Sequence, residues 1–158
     1  MSQIQFYMEK KLEKNPICAA MAGINAVYYV DYENVVVCLP GNGGMLVDLS
    51  TGHGWSLIEA DEARAAAKQE EVTAWRHKVE MVYHGNQQQV ESDLTEMTGR
   101  RFLVKVVDNN GTEWLYGHGS SPLCFRYNSE NGGEADSETA YRLTFEALCP
   151  EPERRIIG

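Results

Sequence analysis

The stretch "VKVVDNNGTEWLYG", residues 104–117, contains two strand-like runs on either side of a short polar cluster. The dipeptide Asn110-Gly111 favours a hairpin there, because a type I′ turn needs positive φ at both central residues and Asn and Gly adopt it readily. The run after the turn places Trp114 and Tyr116 on one side of a strand. We therefore predict a hairpin whose turn comprises Asp108, Asn109, Asn110 and Gly111.

The same polar cluster has the oxygen-rich composition of a calcium loop. A calcium loop of the helix-loop-helix type has ligands at alternate positions over about twelve residues and lies between two helices. Here the cluster is shorter and lies between two strands, so the hairpin interpretation is favoured. Asp108 and Glu113 are accordingly predicted to be replaceable without loss of any bound metal.

The segments before the hairpin extend the β pattern. Residues 100–107, "RRFLVKVV", are mostly apolar on both sides, which predicts a central strand covered on both faces. Residues 72–84 alternate between mostly apolar and mostly charged side chains, which is typical of a half-buried antiparallel strand. His77 lies on the apolar side of this strand and is interpreted as a hydrogen-bonded core histidine rather than a ligand.

Between those two strands the periodicity changes to that of a helix. Val90, Leu94 and Met97 recur at i, i+4 and i+7. Asn86 is a suitable N-cap and Gly99 a suitable C-terminal stop. One amphipathic helix is therefore predicted.

Two further strands are predicted after the hairpin, in "PLCFRYN" and "ETAYRLTFEAL". The acidic, glycine-rich segment between them predicts an exposed, mobile loop. We identify within it a candidate assembly loop, composed of Glu130, Asn131, Gly132, Gly133 and Glu134.

The first half of the chain gives weaker signals. Residues 26–39 predict one long or two short strands, and residues 41–44, "GNGG", a strand connector rather than a phosphate-binding turn. Residues 61–71 have high helix propensity, but their apolar side chains are almost all alanine. We expect an extended or partly helical connector there.

Together these elements predict a mainly β (α+β) fold: an antiparallel β-sandwich or barrel with one packed amphipathic helix. A chain of 158 residues is most simply one domain, residues 1–158. Residues from about 1 to 16 are expected to form an N-terminal arm, and those from about 150 to 158, which are rich in proline, a flexible tail.

The charge and composition of the chain argue against several classes of function. The formal net charge of −9 argues against a broad nucleic-acid-binding face, which would neutralise phosphates with Lys and Arg. The four cysteines and four histidines are dispersed, without the closely spaced pairs of a zinc site. No run has the ~20 apolar residues of a membrane span, and no signal peptide is recognisable, so we expect synthesis in the cytoplasm.

Two groups of residues leave alternatives open. In "GHGSSP", residues 117–122, His118 beside Ser120 and Ser121 could serve a hydrolase, but a glycine-rich turn is favoured and no catalytic, cofactor or metal residue is predicted. Three aromatic residues are assigned to the core, or alternatively to the contact surface of a small protein- or carbohydrate-binding module: Trp55, Trp114 and Tyr116.

The order of motifs over roughly residues 72–152 resembles a family of small virion proteins of bacteriophages and prophages of anaerobic gut bacteria. The resemblance implies an architecture like that of a phage tail tube, without catalytic residues. The matching residues are Gly99, Arg100, Arg101, Phe102, Val104, Asp108, Asn109, Asn110, Gly111, Leu115, Gly117, Pro122, Leu123, Phe125, Tyr127, Tyr141, Leu143, Thr144 and Phe145.

The resemblance also implies partners and a location. The partners would be further copies of the chain, in a ring-like homo-oligomer, and other tail proteins. DNA would be passing cargo without specific recognition, no membrane would be involved, and the assembled protein would reside in a virion or tail-like particle. An acidic inner surface would repel the phosphate backbone and let DNA slide.

Overall fold

The computed structural model describes residues 23–85, 87–130 and 139–157. These residues form a mainly β structure with a single α helix, as the sequence predicts. The elements are β1 (Ile24–Asp31), a short 3-10 helix (Tyr32–Asn34), β2 (Val35–Gly41), β3 (Gly44–Leu49), β4 (Ser56–Ile58), β5 (Glu62–Glu71), β6 (Ala74–Gly85), α1 (Gln87–Met97), β7 (Arg101–Asp108), β8 (Glu113–Tyr116), β9 (Leu123–Glu130), β10 (Thr139–Cys149) and β11 (Arg154–Ile157).

Strand β7 is the branch point of the sheet. One edge pairs with β1, whereas the other pairs with β9 at its start and with β8 over residues 104–107. From β9 the sheet continues through β10 and β6 to β5, and from β8 through β11 and β3 to β2. The side chains of β7 are buried on both faces, with Leu103 and Val104 both 0% exposed. The prediction of a central strand covered on both faces is confirmed.

The sheet is mixed rather than purely antiparallel. Strand β11 lies between β8, to which it is antiparallel, and β3, to which it is parallel. The expected antiparallel sandwich or barrel is therefore wrong at this pair. The physical reason is that β3 and β8 run in opposite directions to each other. A strand inserted between them must therefore be parallel to one and antiparallel to the other.

The larger core lies on the β7 face that carries Phe102 and Val104. Its centre is a cluster of phenylalanines from three strands: the ring centroids of Phe125 and Phe145 are 5.0 Å apart, and those of Phe102 and Phe145 are 5.6 Å apart. The rings of Phe102 and Phe145 meet nearly edge to face, a favourable arrangement of their quadrupoles. Strand β10 contributes Tyr141, Leu143 and Phe145 from one face, as its alternation predicts.

A smaller core lies on the opposite face of β7. Leu103 packs there with Val30, Met45 and Leu115, and partly buried side chains from the β2–β3 hairpin and β11 surround them. Because β7 packs into a core on each of its two faces, it lacks the apolar-polar alternation of a strand with one solvated face.

The predicted helix is confirmed as α1. Leu94 is 5% exposed in the larger core, with Val90 and Met97 packed beside it. The helix ends just before Gly99, which has a φ of 93° that favours glycine. The predicted N-cap, Asn86, lies outside the described residues.

Residues 62–71 form a strand of the sheet, β5, so of the two expected conformations the extended one is right and the partly helical one is wrong. Helix propensity is overruled here because β6 offers a full backbone edge, to which β5 pairs from Glu62 to Glu71. The small side chains of Ala65 and Ala67 let β5 approach the larger core closely, and both are buried. The alanines that suggested a helix are therefore core residues of a strand.

The expected flexible tail also has to be corrected, because residues 154–157 form β11. The two prolines, Pro150 and Pro152, precede this strand and fall in the connection that follows β10. They end β10 but leave the backbone N–H groups of β11 available for pairing.

Candidate functional site

The predicted hairpin turn joins β7 and β8. The backbone N–H of Gly111 donates to the carbonyl of Asp108 at 3.0 Å, so Asn109 and Asn110 are the central residues of the turn. Gly111 follows with a φ of 84°. This corresponds to a longer loop with a glycine in the left-handed region, not to the predicted two-residue turn centred on Asn110-Gly111.

Asp108 is the buried centre of this turn, with 8% of its surface exposed. Its Oδ1 accepts the backbone N–H groups of Asn110 at 2.9 Å and Thr112 at 3.0 Å. Its Oδ2 accepts the indole N–H of Trp114 at 3.1 Å. Both carboxylate oxygens are therefore occupied by protein donors, which gives the residue a structural role that composition alone did not reveal.

The loop that contains His118 is a tight turn with many contacts. Backbone hydrogen bonds link His118 and Ser121 in both directions, at 3.0 and 3.1 Å. The Nδ1 atom of His118 lies 2.9 Å from Ser120 Oγ and also accepts the backbone N–H of Ser120 at 3.1 Å. Its Nε2 atom lies 3.7 Å from the carboxylate of Glu151.

This places a serine, a histidine and a glutamate in one corner, the three side-chain types of a hydrolase triad. The nitrogen nearest the serine hydroxyl, however, already accepts a backbone N–H, which weakens it as a base. The distance from Nε2 to Glu151 is longer than a hydrogen bond. These contacts account for the shape of the turn.

His77 fastens the same loop from inside the core. It is 1% exposed; its Nδ1 accepts the backbone N–H of Gly117 at 3.0 Å, and its Nε2 lies 2.7 Å from the carbonyl of Glu151. Because a carbonyl can only accept, Nε2 carries the proton and the ring is neutral. Burial lowers the pKa of His77, and nearby His118 lowers it further. The interpretation as a hydrogen-bonded core histidine is confirmed.

The three aromatic residues proposed for ligand contact all pack within the fold. Tyr116 is 4% exposed in the larger core, and Trp114, beside it, is held by Asp108. Trp55 packs against the smaller core, with its ring centroid 5.0 Å from the amino group of Lys105. Each aromatic residue therefore has a packing role.

A contiguous apolar surface lies on the outside of the β2–β3 hairpin. Leu39 pairs directly with Leu46, which in turn pairs with Ile157 of β11. Leu39 is 48% exposed and Leu46 38%. The alternate residues of the same strands face the smaller core. We call the surface formed by Leu39, Leu46 and Ile157 the outer hairpin face.

Two opposite charges flank this face. Asp48 and Arg155 are exposed, and they alternate along β3 and β11 with side chains that face the smaller core. Neither makes an ion pair or side-chain hydrogen bond within the described parts of the chain. The register puts Arg155 near Gly44, at the opposite end of β3 from Asp48.

The sequence contained a signal for this face that the strand prediction did not use. The segment "VVVCL", residues 35–39, is apolar on both sides, although β2 has one strand partner, β3, within the described residues. A strand at the end of a sheet with no polar side must expose apolar side chains. The outer hairpin face could thus have been predicted once the position of β2 in the sheet was known.

A second surface is a pocket of about 460 Å³ beside α1. Its lining includes Tyr29, Ile58, Tyr83, Leu94 and Met97, together with the carboxylates of Glu59 and Asp93. We call this the helix pocket. Its volume lies within the range of small ligand sites, roughly 300–1,000 Å³.

One residue of the candidate assembly loop, Glu130, lies within the described residues. Glu130 ends β9, where its backbone pairs with Ala140 of β10. The other four residues of that loop, Asn131 to Glu134, lie outside the described residues, as does the expected N-terminal arm.

No group of three or more potential metal ligands occurs in residues 23–85, 87–130 and 139–157. Three cysteines in these ranges are free thiols: Cys38, Cys124 and Cys149. Burial raises the pKa of the Cys149 thiol to about 12, which makes it a poor nucleophile and ligand at neutral pH.

Comparison with protein-family models, with curated proteins and with solved structures gave no significant match. Within the described residues, no helix has the length and apolar character needed to cross a membrane.

Proposed function

We propose that the protein is a non-enzymatic structural component of a phage or prophage tail, which self-associates through the outer hairpin face. The observation that carries this proposal is the exposure of the directly paired residues Leu39 and Leu46 on one side of a two-stranded hairpin. Monomeric soluble proteins rarely expose large contiguous apolar patches, and such patches commonly mark interaction sites.

Burial of this face would supply the driving force for association. Each Å² of apolar surface removed from water contributes about 25 cal/mol. The face is rigid, because Met45, beneath it, is 1% exposed and anchors β3 in the smaller core. Little side-chain or backbone order would therefore have to be gained on binding.

The charges at the two ends of the face favour a second copy of the chain as the partner. A two-fold contact presents the same patch from both subunits in opposite orientations. Asp48 of one copy would then lie near Arg155 of the other, and the reverse. Such paired charges fix the orientation of two subunits more than they add affinity.

The assignment to a phage tail is supported by the resemblance of residues 72–152 and by the charge of the chain. A net charge of −9 suits a subunit that lines a passage for DNA without retaining it. Other tail proteins would be further partners, and the protein would pass from the bacterial cytoplasm into the assembled particle. DNA would be cargo and not a specific ligand.

The test is dimerisation through this face, measured by light scattering over a range of concentrations; electron microscopy then shows whether the dimers assemble further into rings or tubes. Replacing both Leu39 and Leu46 with Lys should weaken association at least ~10-fold. Val72→Lys is the matched control, because Val72 is 87% exposed at the β5–β6 turn, away from the face. A protein that remains monomeric at high concentration, alone and with neighbouring tail proteins, would exclude the proposal.

A charge exchange tests the orientation. Asp48→Arg and Arg155→Asp should each weaken association, and the double variant should restore much of it. If the double variant is as weak as the single variants combined, the two-fold contact through these residues is wrong.

A further inference from the structure

We infer that the helix pocket is a docking site for the N-terminal segment of the same chain, residues 1–22. This inference is independent of the proposed self-association, because the pocket and the outer hairpin face involve different residues. It rests on the chemistry of the pocket, the composition of the segment and the distance between them.

The pocket combines an apolar floor with two exposed acidic residues. Leu94, on the floor, is 5% exposed and belongs to the larger core. Glu59, after β4, and Asp93, on α1, line the pocket, and neither forms a hydrogen bond or ion pair within the described ranges. An occupant that brings apolar side chains together with positive charge would match both features.

Part of the rim is itself apolar and exposed. Leu57 of β4 lines the pocket and is 49% exposed. Strand β4 pairs with β1 and with no other strand among the described residues, so one of its edges is open. A chain segment lying along β4 would cover Leu57 and could pair with this open edge.

The N-terminal segment has the matching composition. It carries three lysines, at positions 10, 11 and 14, against two glutamates, whereas the whole chain has a net charge of −9. Its apolar side chains include Phe6, Met8, Leu12, Ile17 and Met21. The chain's other charges are predominantly acidic, so this segment complements the pocket better than the rest of the sequence does.

The segment joins the described structure close enough to reach. The described chain begins at Gly23, six residues before Tyr29, which lines the pocket; this is about 20 Å along a strand. A segment of 22 residues can extend roughly 70 Å. Attachment to the same chain gives it an effective concentration of the order of millimolar, which favours it over a free peptide.

Disulfide trapping in the full chain tests the inference, with the native Cys18 as the probe on the segment. Leu57→Cys places a partner thiol on the pocket rim, in a Cys124→Ser background that removes an exposed thiol. Asp93→Cys is a second trap on the helix side. Val72→Cys is the matched control, at the far end of β6 from the pocket residue Tyr83.

We expect an intramolecular disulfide between Cys18 and either trap to form at least ~10-fold faster than the control disulfide, because docking raises the local thiol concentration. Replacing Glu59 with Lys should slow the Leu57→Cys reaction, whereas Glu71→Lys, near the control site, should not. Trapping no faster than the control would overturn the inference. Disulfides formed only between molecules would overturn it too, since the occupant would then be a segment of another copy.

Discussion

The indole N–H of Trp114 donates to Oδ2 of Asp108 at 3.1 Å, while Oδ1 of the same carboxylate closes the β7–β8 turn through two backbone N–H groups. One side chain thus joins the turn to the first aromatic residue of the return strand. The residues around Asp108 have the composition of a metal-binding loop, but the carboxylate oxygens of Asp108 hold the hairpin.

Asp108→Asn should therefore destabilise the protein by about 1–3 kcal/mol, because an amide cannot accept all three hydrogen bonds. Urea unfolding followed by Trp fluorescence measures the change. Glu113→Gln is the control: its side chain is 43% exposed and makes a long ion pair, 3.5 Å, with Lys105, so its removal should cost little. Equal stability of Asp108→Asn and the parent protein would contradict this role.

Two of the three Asn-Gly dipeptides in the chain show how far turn signals alone can be used. Asn42-Gly43 forms the two-residue connection between Gly41 and Gly44, which pair across β2 and β3. Asn110-Gly111 has the same letters but lies in a longer loop, because Asp108 captures the backbone N–H groups of Asn110 and Thr112. The local sequence predicted a hairpin at the second site, but a side-chain contact determined its geometry.

The strands and helix around β7 were predictable because each has a clear period and one well-defined buried face. Strands β5 and β11 were not, because their positions depend on partners distant in sequence. Ala65 faces Val79 of β6, and Ile156 pairs with Met45 of β3. The outer hairpin face was missed for the same reason: whether Leu39 is covered depends on where β2 lies in the sheet.

A substitution at Gly44 tests how closely β3 and β11 pack where they support the outer hairpin face. A Cβ added at Gly44 would lie 2.3 Å from the backbone oxygen of Arg155, so the two strands would have to separate. Gly44→Ala should cost about 1–3 kcal/mol and weaken self-association as well. Gly54→Ala is the control, because a Cβ there meets nothing within 4 Å. Unchanged thermal stability of Gly44→Ala would show that the strands are not packed this closely.

The neutral state of His77 predicts a stability change at mildly acidic pH. Burial holds its pKa below the ordinary value of 6.5, so the folded protein binds fewer protons than the unfolded chain. This contribution to stability is present at neutral pH and is lost as the pH falls below 6.5 towards the folded pKa. Nitrogen NMR of the imidazole ring should show the Nε2-protonated neutral form at pH 6.5. A positively charged ring at that pH would contradict the assigned hydrogen bonds.

The raised pKa of Glu153 predicts that stability falls as the pH rises, which is the opposite of the trend predicted for His77. Burial raises the pKa of its carboxyl to about 7 from 4.5, and the hydroxyl of Tyr116 lies 3.4 Å from Oε2. The folded protein therefore binds more protons than the unfolded chain between these values, so this residue's contribution to stability declines from pH 4.5 to 7. Above pH 7 the ionised carboxylate costs up to about 3 kcal/mol.

Glu153→Gln should consequently stabilise the protein at pH 8 and have little effect at pH 4.5, since the amide is neutral at both. Urea unfolding of the parent and the variant at the two pH values measures the difference directly. The control is Glu71→Gln, because the side chain of Glu71 is exposed. Glu151 is less suitable, because its carboxylate forms an ion pair with Arg154. A Glu153→Gln effect that is the same at both pH values would show that the carboxyl does not titrate near 7.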